Sequence, residues 1–350
     1  MNIAVDAMGG DYAPREVVIG AFHGAVEHDI SVLLVGDRPR IERELAPLGD
    51  HGGRIEVVHA EESVGMEETP TVAVRRKKRS SVRICAELVR EGRAQALISA
   101  GNTGAVMIAA KMVLGTIPGI DRPALVAEFP NPRGRTVVLD VGANVDSRSA
   151  HLRQFAVMGH FYAQEIHGKA SPRIGVMSIG EEDTKGTDMT REVVRVLKGT
   201  GLHFVGNVEG RDVFNGAVDV IVCDGFVGNV ILKSAESMAE LVKAMLRREL
   251  RQSFATRIGG WLARPALQSF SRLTDYREYG SVPLLGLNGG CFIAHGRSNS
   301  RAIRNSIRRA AEFAEAKMHE KIGEKVAQLH SQEERWLGLT GAASNRDGDD

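Results

Sequence analysis

"VDVIVCDGFVGNVILKS", residues 218–234, decides the architecture. Its first half is a near-continuous run of apolar and β-branched residues that closes on Asp224 and Gly225. A strand of that composition is covered on both faces, as in a mainly parallel sheet between helix layers. A glycine-bounded loop follows, and Asn229 opens a helical pattern over 229–252.

The same unit recurs along the chain. Further apolar runs stand at 2–7, 31–37, 54–60, 95–101, 124–129, 136–144, 173–180 and 203–210. Helical patterns occupy 15–28, 80–92, 103–115, 149–166, 187–199 and 299–330. The alternation predicts a doubly wound α/β architecture. The expected organisation is one catalytic unit over 1–330 and a frayed polar extension over 331–350.

Six apolar runs end in small or polar residues: "DAMGGD" (6–11), "SAGNTGA" (99–105), "DVGAN" (140–144), "SIGEEDTKG" (178–186), "GNVEGRD" (206–212) and "CDGFVGN" (223–229). Ligands of open parallel sheets collect at strand carboxyl ends, so a shared cleft is expected there. Glycines let backbone N–H groups approach a ligand, and Asn, Thr and Asp supply directed polar contacts.

Composition narrows the partners. A net charge of +1 on 350 residues leaves attraction of anions to local patches. Cys85, Cys223 and Cys291 are odd in number and far apart, which predicts reduced thiols in a cytosolic protein and no metal-type pair. The start "MNIAVDAMGGD" does not read as a signal peptide, and no window approaches the ~20 apolar residues of a spanning helix. No G-x-G-x-x-G, P-loop, H-E-x-x-H or G-x-S-x-G occurs. Neither a metal nor a cofactor is expected.

Three features keep two readings each. Lys185 in "GEEDTKG" either pairs with Glu181, Glu182 or Asp183, or holds something negative at a strand end. Asn102 or Thr103 caps a helix with Gly104 in its first turn, which is either plain capping or an anion site. The segment 241–273 carries Leu246, Leu250, Phe254, Ile258, Trp261 and Leu262 at helical spacing among many cations. Broken into two pieces at Gly259–Gly260 and Pro265, it suits either an anionic lipid surface or a dimer interface. A fourth feature, the basic run "AVRRKKRSS" (73–81), suits an acidic protein or phosphate better than nucleic acid, since aromatics are few.

Eight motifs in order identify the chain as similar to the bacterial phosphate acyltransferase family, PlsX. They are "DAMGGDYAP", "AVRRKKRSS", "SAGNTGA", "DVGAN", "GEEDTKG", "GNVEGRD", "DGFVGNVILKS" and "YGSVPLLGLNG" (279–289), spread over residues 1 to about 330. The resemblance implies a Rossmann-like three-layer α/β/α fold with a mainly parallel sheet, like isocitrate and isopropylmalate dehydrogenases. It implies transfer of a fatty acyl group from acyl-[acyl carrier protein] to inorganic phosphate, opening phospholipid synthesis. A homodimer is implied, cytosolic but peripherally attached to an anionic membrane, whose acyl phosphate feeds a membrane glycerol-3-phosphate acyltransferase.

On that reading Lys185 and Asn229 are the catalytic candidates, Asn229 acting with the loop amides around Gly228. Asp6, Gly9, Gly10, Asn102, Thr103, Gly104, Asn144, Asn207, Asp224 and Gly228 line the substrate cleft. Arg75, Arg76, Lys77, Lys78 and Arg79 dock the carrier protein, and Leu250, Phe254, Ile258, Trp261 and Leu262 meet the membrane. The alternatives are an NAD-dependent dehydrogenase on the related fold and a non-catalytic lipid-surface scaffold for carrier protein.

Overall fold

The computed structural model describes residues 1–273, 278 and 280–328; the extension over 331–350 lies outside them. Its strands are β1 (Asn2–Asp6), β2 (Ser31–Gly36), β3 (Ile55–His59), β4 (Ala96–Ser99), β5 (Ala124–Asn131), β6 (Gly134–Leu139), β7 (Ile174–Met177), β8 (Phe204–Val208), β9 (Val220–Val222), β10 (Ser281–Leu285) and β11 (Gly290–Ala294). They form one sheet in the order β3-β2-β1-β4-β11-β10-β5-β6-β9-β7-β8.

Each of the nine expected runs contains a strand. The additional pair, β10 and β11, comes from the "YGSVPLLGLNG" region and the residues after it. Pro283 within β10 conceals it, because proline removes a ladder donor and argues against a central strand.

The helices are α1 (Arg15–His28), α2 (Arg38–Leu45), α3 (Pro70–Arg76), α4 (Ser81–Arg90), α5 (Thr103–Leu114), α6 (Ser149–His167), α7 (Asp188–Leu197), α8 (Asp212–Asn215), α9 (Gly225–Glu249), α10 (Phe254–Leu262), α11 (Arg264–Leu273) and α12 (Ser300–Glu315). Alternating strand residues feed two cores, which makes three layers. Ile3 and Val5 point to the side covered by α1, α2, α6, α7 and α12. Ala4, Leu33 and Val35 point to the side of α3, α4, α5 and α8, where the start of α9 also packs.

Three helix boundaries differ from the sequence reading. The helix expected over 229–252 starts earlier, at Gly225, because the Asp224 carboxylate accepts from the Phe226 and Val227 amides at 3.0 Å. The segment 241–273 is three pieces, not two, with Gly259 and Gly260 inside α10. Ser253 and Thr256 cap α10 reciprocally, and Pro265 sits at the start of α11, where its missing N–H costs nothing. The pattern over 299–330 divides after α12, where Lys317 takes a φ of 49° and a second helical stretch follows over 318–328.

The middle of the sheet fixes where a ligand can lie. β10 is antiparallel to both neighbours, and β5 is antiparallel to β6. The β3-β2-β1-β4-β11 block therefore runs opposite to the β6-β9-β7-β8 block. The six strand ends are thus divided between two edges: those of β1 and β4 at one, those of β6, β7, β8 and β9 at the other. A single strand-end cleft is replaced by one that crosses the central strands.

A buried ion cluster ties the two blocks together. Arg309 of α12 binds Glu128 of β5 and, at 2.8 Å, the Tyr162 hydroxyl of α6, which itself donates to Glu128 at 2.7 Å. Arg135 and His167 stand 3.3 and 3.6 Å from the same carboxylate. Burial pushes the Glu128 carboxyl up, but Arg309, His167 and Tyr162 outweigh it and hold it well below the ordinary glutamate value of 4.5.

The Glu128 contribution is present above pH 4.5 and is lost as the pH falls below it. Glu128→Gln should therefore destabilise the protein by about 3–5 kcal/mol at neutral pH, since Arg309 loses its counter-charge. It should also flatten the decline of melting temperature between pH 6 and 3. Parallel acid-dependent melting curves for the variant and the parent would show that the cluster does not set acid stability.

Candidate active site

A cavity of about 240 Å³ lies over the middle of the sheet on the α5 and α9 side. Leu125 and Ala127 of β5, Val282 of β10 and Ile293 of β11 give it an apolar floor. Thr103, at the start of α5, stands at one end; Gly142 and Asn229 stand at the other. Lys233, Glu236, His295, Ser281 and the Glu128–Arg309 pair add further polar lining. Tertiary structure thus brings two of the sequence candidates, Thr103 and Asn229, into one site.

At the β6 end the organiser is Asp140, quoted within "DVGAN" but given no role. It is fully buried and accepts from the amides of Leu125, Gly142, Ala143 and Asn144 at 2.7–3.2 Å. The Asn144 side chain donates to it at 2.9 Å and to the Pro123 carbonyl at 2.8 Å. Burial still pushes the Asp140 carboxyl upward. Asn144 is consequently consumed in building this loop, and its side-chain donors face Asp140 and Pro123 rather than a ligand.

The first turn of α9 is pressed onto the same loop. A Cβ on Gly228 would lie 1.9 Å from the Asp140 carbonyl oxygen, and one on Gly225 2.4 Å from that of Asn144. The amides of this turn are occupied: Gly225 donates to Asn144, Phe226 and Val227 to the Asp224 side chain, and Gly228 to the Asp224 carbonyl. Asp224 and Gly228 therefore seat the helix. No loop amide around Gly228 remains for an anion, contrary to the sequence reading. Asn229, one residue on, is exposed and has no side-chain hydrogen bond among the described residues.

The α5 start is the opposite case. Asn102 is spent on structure: its side chain accepts from Ala105 at 3.1 Å and donates to the Met66 and Glu68 carbonyls at 2.9 and 3.1 Å. Thr103 and Gly104 follow it in the first turn, where backbone N–H groups have no intrahelical acceptor. That end of the cavity is suited to negative charge. Asp6 is buried behind it, takes a 2.7 Å hydrogen bond from Ser99 and is pushed up by burial. Gly9 permits this packing, since a Cβ there would meet the Gly101 nitrogen at 2.7 Å; Gly10 adopts a φ of 105°.

Lys185 lies at the β7 end and does not line the cavity. It is exposed and makes no ion pair among the described residues. Asp183 is taken by Lys198 and Glu181 by Arg211, so neither acid pairs with it. The buried Asn207 side chain donates to the Glu182 carbonyl at 2.7 Å and so anchors the Lys185 loop.

The outlying candidates divide in the same way. Lys77 is tied to Glu68 and the Ser63 carbonyl, and Arg79 to Glu61 at 3.1 Å. Arg75, Arg76 and Lys78 remain exposed on and just after α3, beside the α5 start, where Pro70 meets Gly104. Phe254, Trp261 and Leu262 are 79%, 70% and 67% exposed, and Ile258 is also on the surface. Leu250 instead turns inward: it lines the space between α9 and α11, and Gly260 allows its close approach.

Asp140, Lys233, Glu236 and His295 belong to the site and carry no role in the sequence reading. Lys233 was legible, because a residue four after Asn229 shares its helix face. His295 was not, since β11 was unrecognised. All three cysteines are buried, and burial pushes the Cys291 thiol up to about 12, which disfavours a thiolate nucleophile. Among the described residues, no three His, Cys, Asp or Glu converge as a metal site, and no helix is long and apolar enough to cross a membrane.

Known proteins resemble the chain along nearly its whole length. A family described as "Fatty acid synthesis protein" matches residues 1–321. A phosphate acyltransferase of Pelotomaculum thermopropionicum is 50% identical over 329 residues, covering 94% of this chain and 96% of that one. One of Geotalea uraniireducens is 51% identical over 326 residues, 93% and 94% of the two chains. Among solved structures, a phosphotransacetylase from Streptococcus pyogenes superposes with a TM-score of 0.62 at 18% identity, over 90% of this chain and 94% of its own. A 4-hydroxythreonine-4-phosphate dehydrogenase from Klebsiella pneumoniae gives 0.52 at 15% identity, over 90% and 99%. These two likenesses concern the fold alone. At half identity over nearly its whole length, the chain belongs to the phosphate acyltransferase family, enzymes that transfer an acyl group to phosphate, and the dehydrogenase and scaffold alternatives are set aside.

Proposed function

We propose that the chain transfers a fatty acyl group from acyl-[acyl carrier protein] to inorganic phosphate, releasing acyl phosphate for phosphatidic acid synthesis. The observation that carries this reading is the cavity itself, where an apolar floor runs between the α5 start and Asn229. A fatty acyl chain and a phosphate need just such an amphipathic site.

Phosphate is already a competent nucleophile at neutral pH, so the protein's work is to hold it, orient it and stabilise developing charge. The Thr103 end favours the anion, and the Asn229 amide can donate to the tetrahedral oxyanion as a phosphate oxygen attacks the thioester carbon. Collapse breaks the carbon–sulfur bond and leaves the carrier thiolate, which needs little acid assistance. Lys185, exposed on the β7 loop and without an ion pair among the described residues, is assigned to meet negative charge as the loop closes on substrate.

Arg75, Arg76 and Lys78 offer the acidic carrier a basic surface beside the α5 start. The α9–α11 arm, with Phe254, Ile258, Trp261 and Leu262 exposed among cations, is assigned to an anionic membrane and to a second copy of the chain. That puts the product near a membrane glycerol-3-phosphate acyltransferase.

Purified protein mixed with long-chain acyl-carrier protein should release free thiol and hydroxylamine-trappable acyl phosphate only when phosphate is present. Thiol release without trappable product would make it a thioesterase and end this reading. Lys185→Ala should lower turnover by about 10²-fold without changing the melting temperature, and near-parental turnover would remove Lys185 from the mechanism. Phe254→Glu with Trp261→Glu should release the protein from vesicles containing phosphatidylglycerol. Undiminished sedimentation with those vesicles would leave the arm to dimerisation alone.

A further inference from the structure

Acyl transfer to phosphate needs a cation beside the nucleophile, and Lys185 is outside the cavity. Two cationic side chains line it, Lys233 and Arg309. Arg309 is committed, because its guanidinium is bound to Glu128, the Tyr162 hydroxyl and the Ser281 carbonyl. Lys233 is different. Its ammonium meets one acceptor, the Glu236 carboxylate at 2.9 Å, and the two side chains are 55% and 34% exposed.

We propose that Lys233 is the phosphate-binding cation of this cleft, and that Glu236 is a resident carboxylate which phosphate displaces. The inference deepens the acyl-transfer reading and rests on it for the identity of the anion. Lys233 stands one helical turn beyond Asn229, so both side chains project from one face of α9 into the cavity. A phosphate held in the cavity takes a charge-assisted hydrogen bond from Lys233, while Asn229 remains free to donate to the oxyanion.

Glu236 fits the part of a displaceable partner. A half-exposed lysine–glutamate pair three residues apart is worth only ~0–1 kcal/mol, so an anion with up to two charges competes for the ammonium. The same carboxylate, sharing the cavity wall, repels any anion bound there. Removing the cation and removing its partner must then act in opposite directions, which a merely structural surface pair would not produce.

The experiment is phosphate dependence in Lys233→Met, Lys233→Arg, Glu236→Gln and the double variant Lys233→Met/Glu236→Gln, each checked for a parental melting temperature. Parental protein that forms acyl phosphate establishes the parent reaction independently. The KM for phosphate should rise about tenfold in Lys233→Met, recover partly in Lys233→Arg and fall about threefold in Glu236→Gln. In the double variant the Glu236→Gln gain should shrink, because no ammonium remains to be released and only the direct repulsion is relieved.

Phosphate binding to the same proteins by calorimetry, with no acyl donor, reads the subsite even if the parent shows no turnover. No turnover in the parental protein, with opposite shifts in phosphate affinity in Lys233→Met and Glu236→Gln, would overturn the acyl-transfer reading and keep the subsite. A phosphate KM and affinity within twofold of the parent in Lys233→Met and Glu236→Gln would overturn the subsite, as would a KM that rises in both.

Discussion

The seat of α9 on the Asp140 loop is the contact on which the site depends. Gly228 has to be glycine there, because helix and loop backbones approach more closely than any Cβ allows. Asp140 makes that approach possible by gathering the amides of Gly142, Ala143 and Asn144 around one buried carboxylate. Those hydrogen bonds offset part of its desolvation cost and orient the loop at the same time. From this seat α9 carries Asn229 and Lys233 into the cavity. Ile231, Leu232 and Ala235 still pack partly buried against the core, and from there to Glu249 the helix is half-buried or exposed. One short contact thus aims both the catalytic wall and the distal arm.

The reversal of strand direction at β10 and β5 explains the shape of the cleft. A uniformly parallel sheet would gather all its carboxyl-end loops at one edge. Here they fall at two, and the ligand space bridges them across the faces of β5, β10 and β11. The first-turn amides of α5 enter from one side, and the Asn229 side-chain amide enters from the α9 side. The Glu128–Arg309–Tyr162 cluster spans the same junction and holds α12, β5 and α6 in register, with Glu128 and Arg309 also lining the cavity. A change in one block is therefore felt by the groups the other contributes.

Acyl transfer to phosphate asks little of side-chain nucleophiles, and the site reflects that. Its thiols are buried and protonated, and its buried carboxylates, Asp6 and Asp140, are occupied in holding loops. Asn229 on the cavity wall and Lys185 on its loop keep polar ends without a protein partner among the described residues. Many residues that look like ligand contacts in the sequence, Asn102, Asn144, Asn207 and Asp224 among them, are the supports that leave other groups free. Satisfying backbone groups with a side chain at each loop is what lets the Thr103 end and Asn229 stay available.

The sequence by itself determined the α/β alternation, the nine apolar runs and the family, because each is written in local periodicity or in contiguous motifs. Of the six strand-end loops it marked, those after β4, β6 and β9 contribute Thr103, Gly142 and Asn229 to the cavity. It did not distinguish a residue that binds a ligand from one that caps a helix, since Asn102 and Asn229 have the same chemistry and differ only in what surrounds them. Nor did it show β10 and β11, whose proline-bearing strand makes sense only between two antiparallel neighbours. Tertiary structure alone decided the division of six strand ends between two edges and the exclusion of Lys185 from the cavity. Those outcomes depend on strand direction and helix seating, which are set by contacts between residues more than a hundred positions apart, such as Arg309 with Glu128.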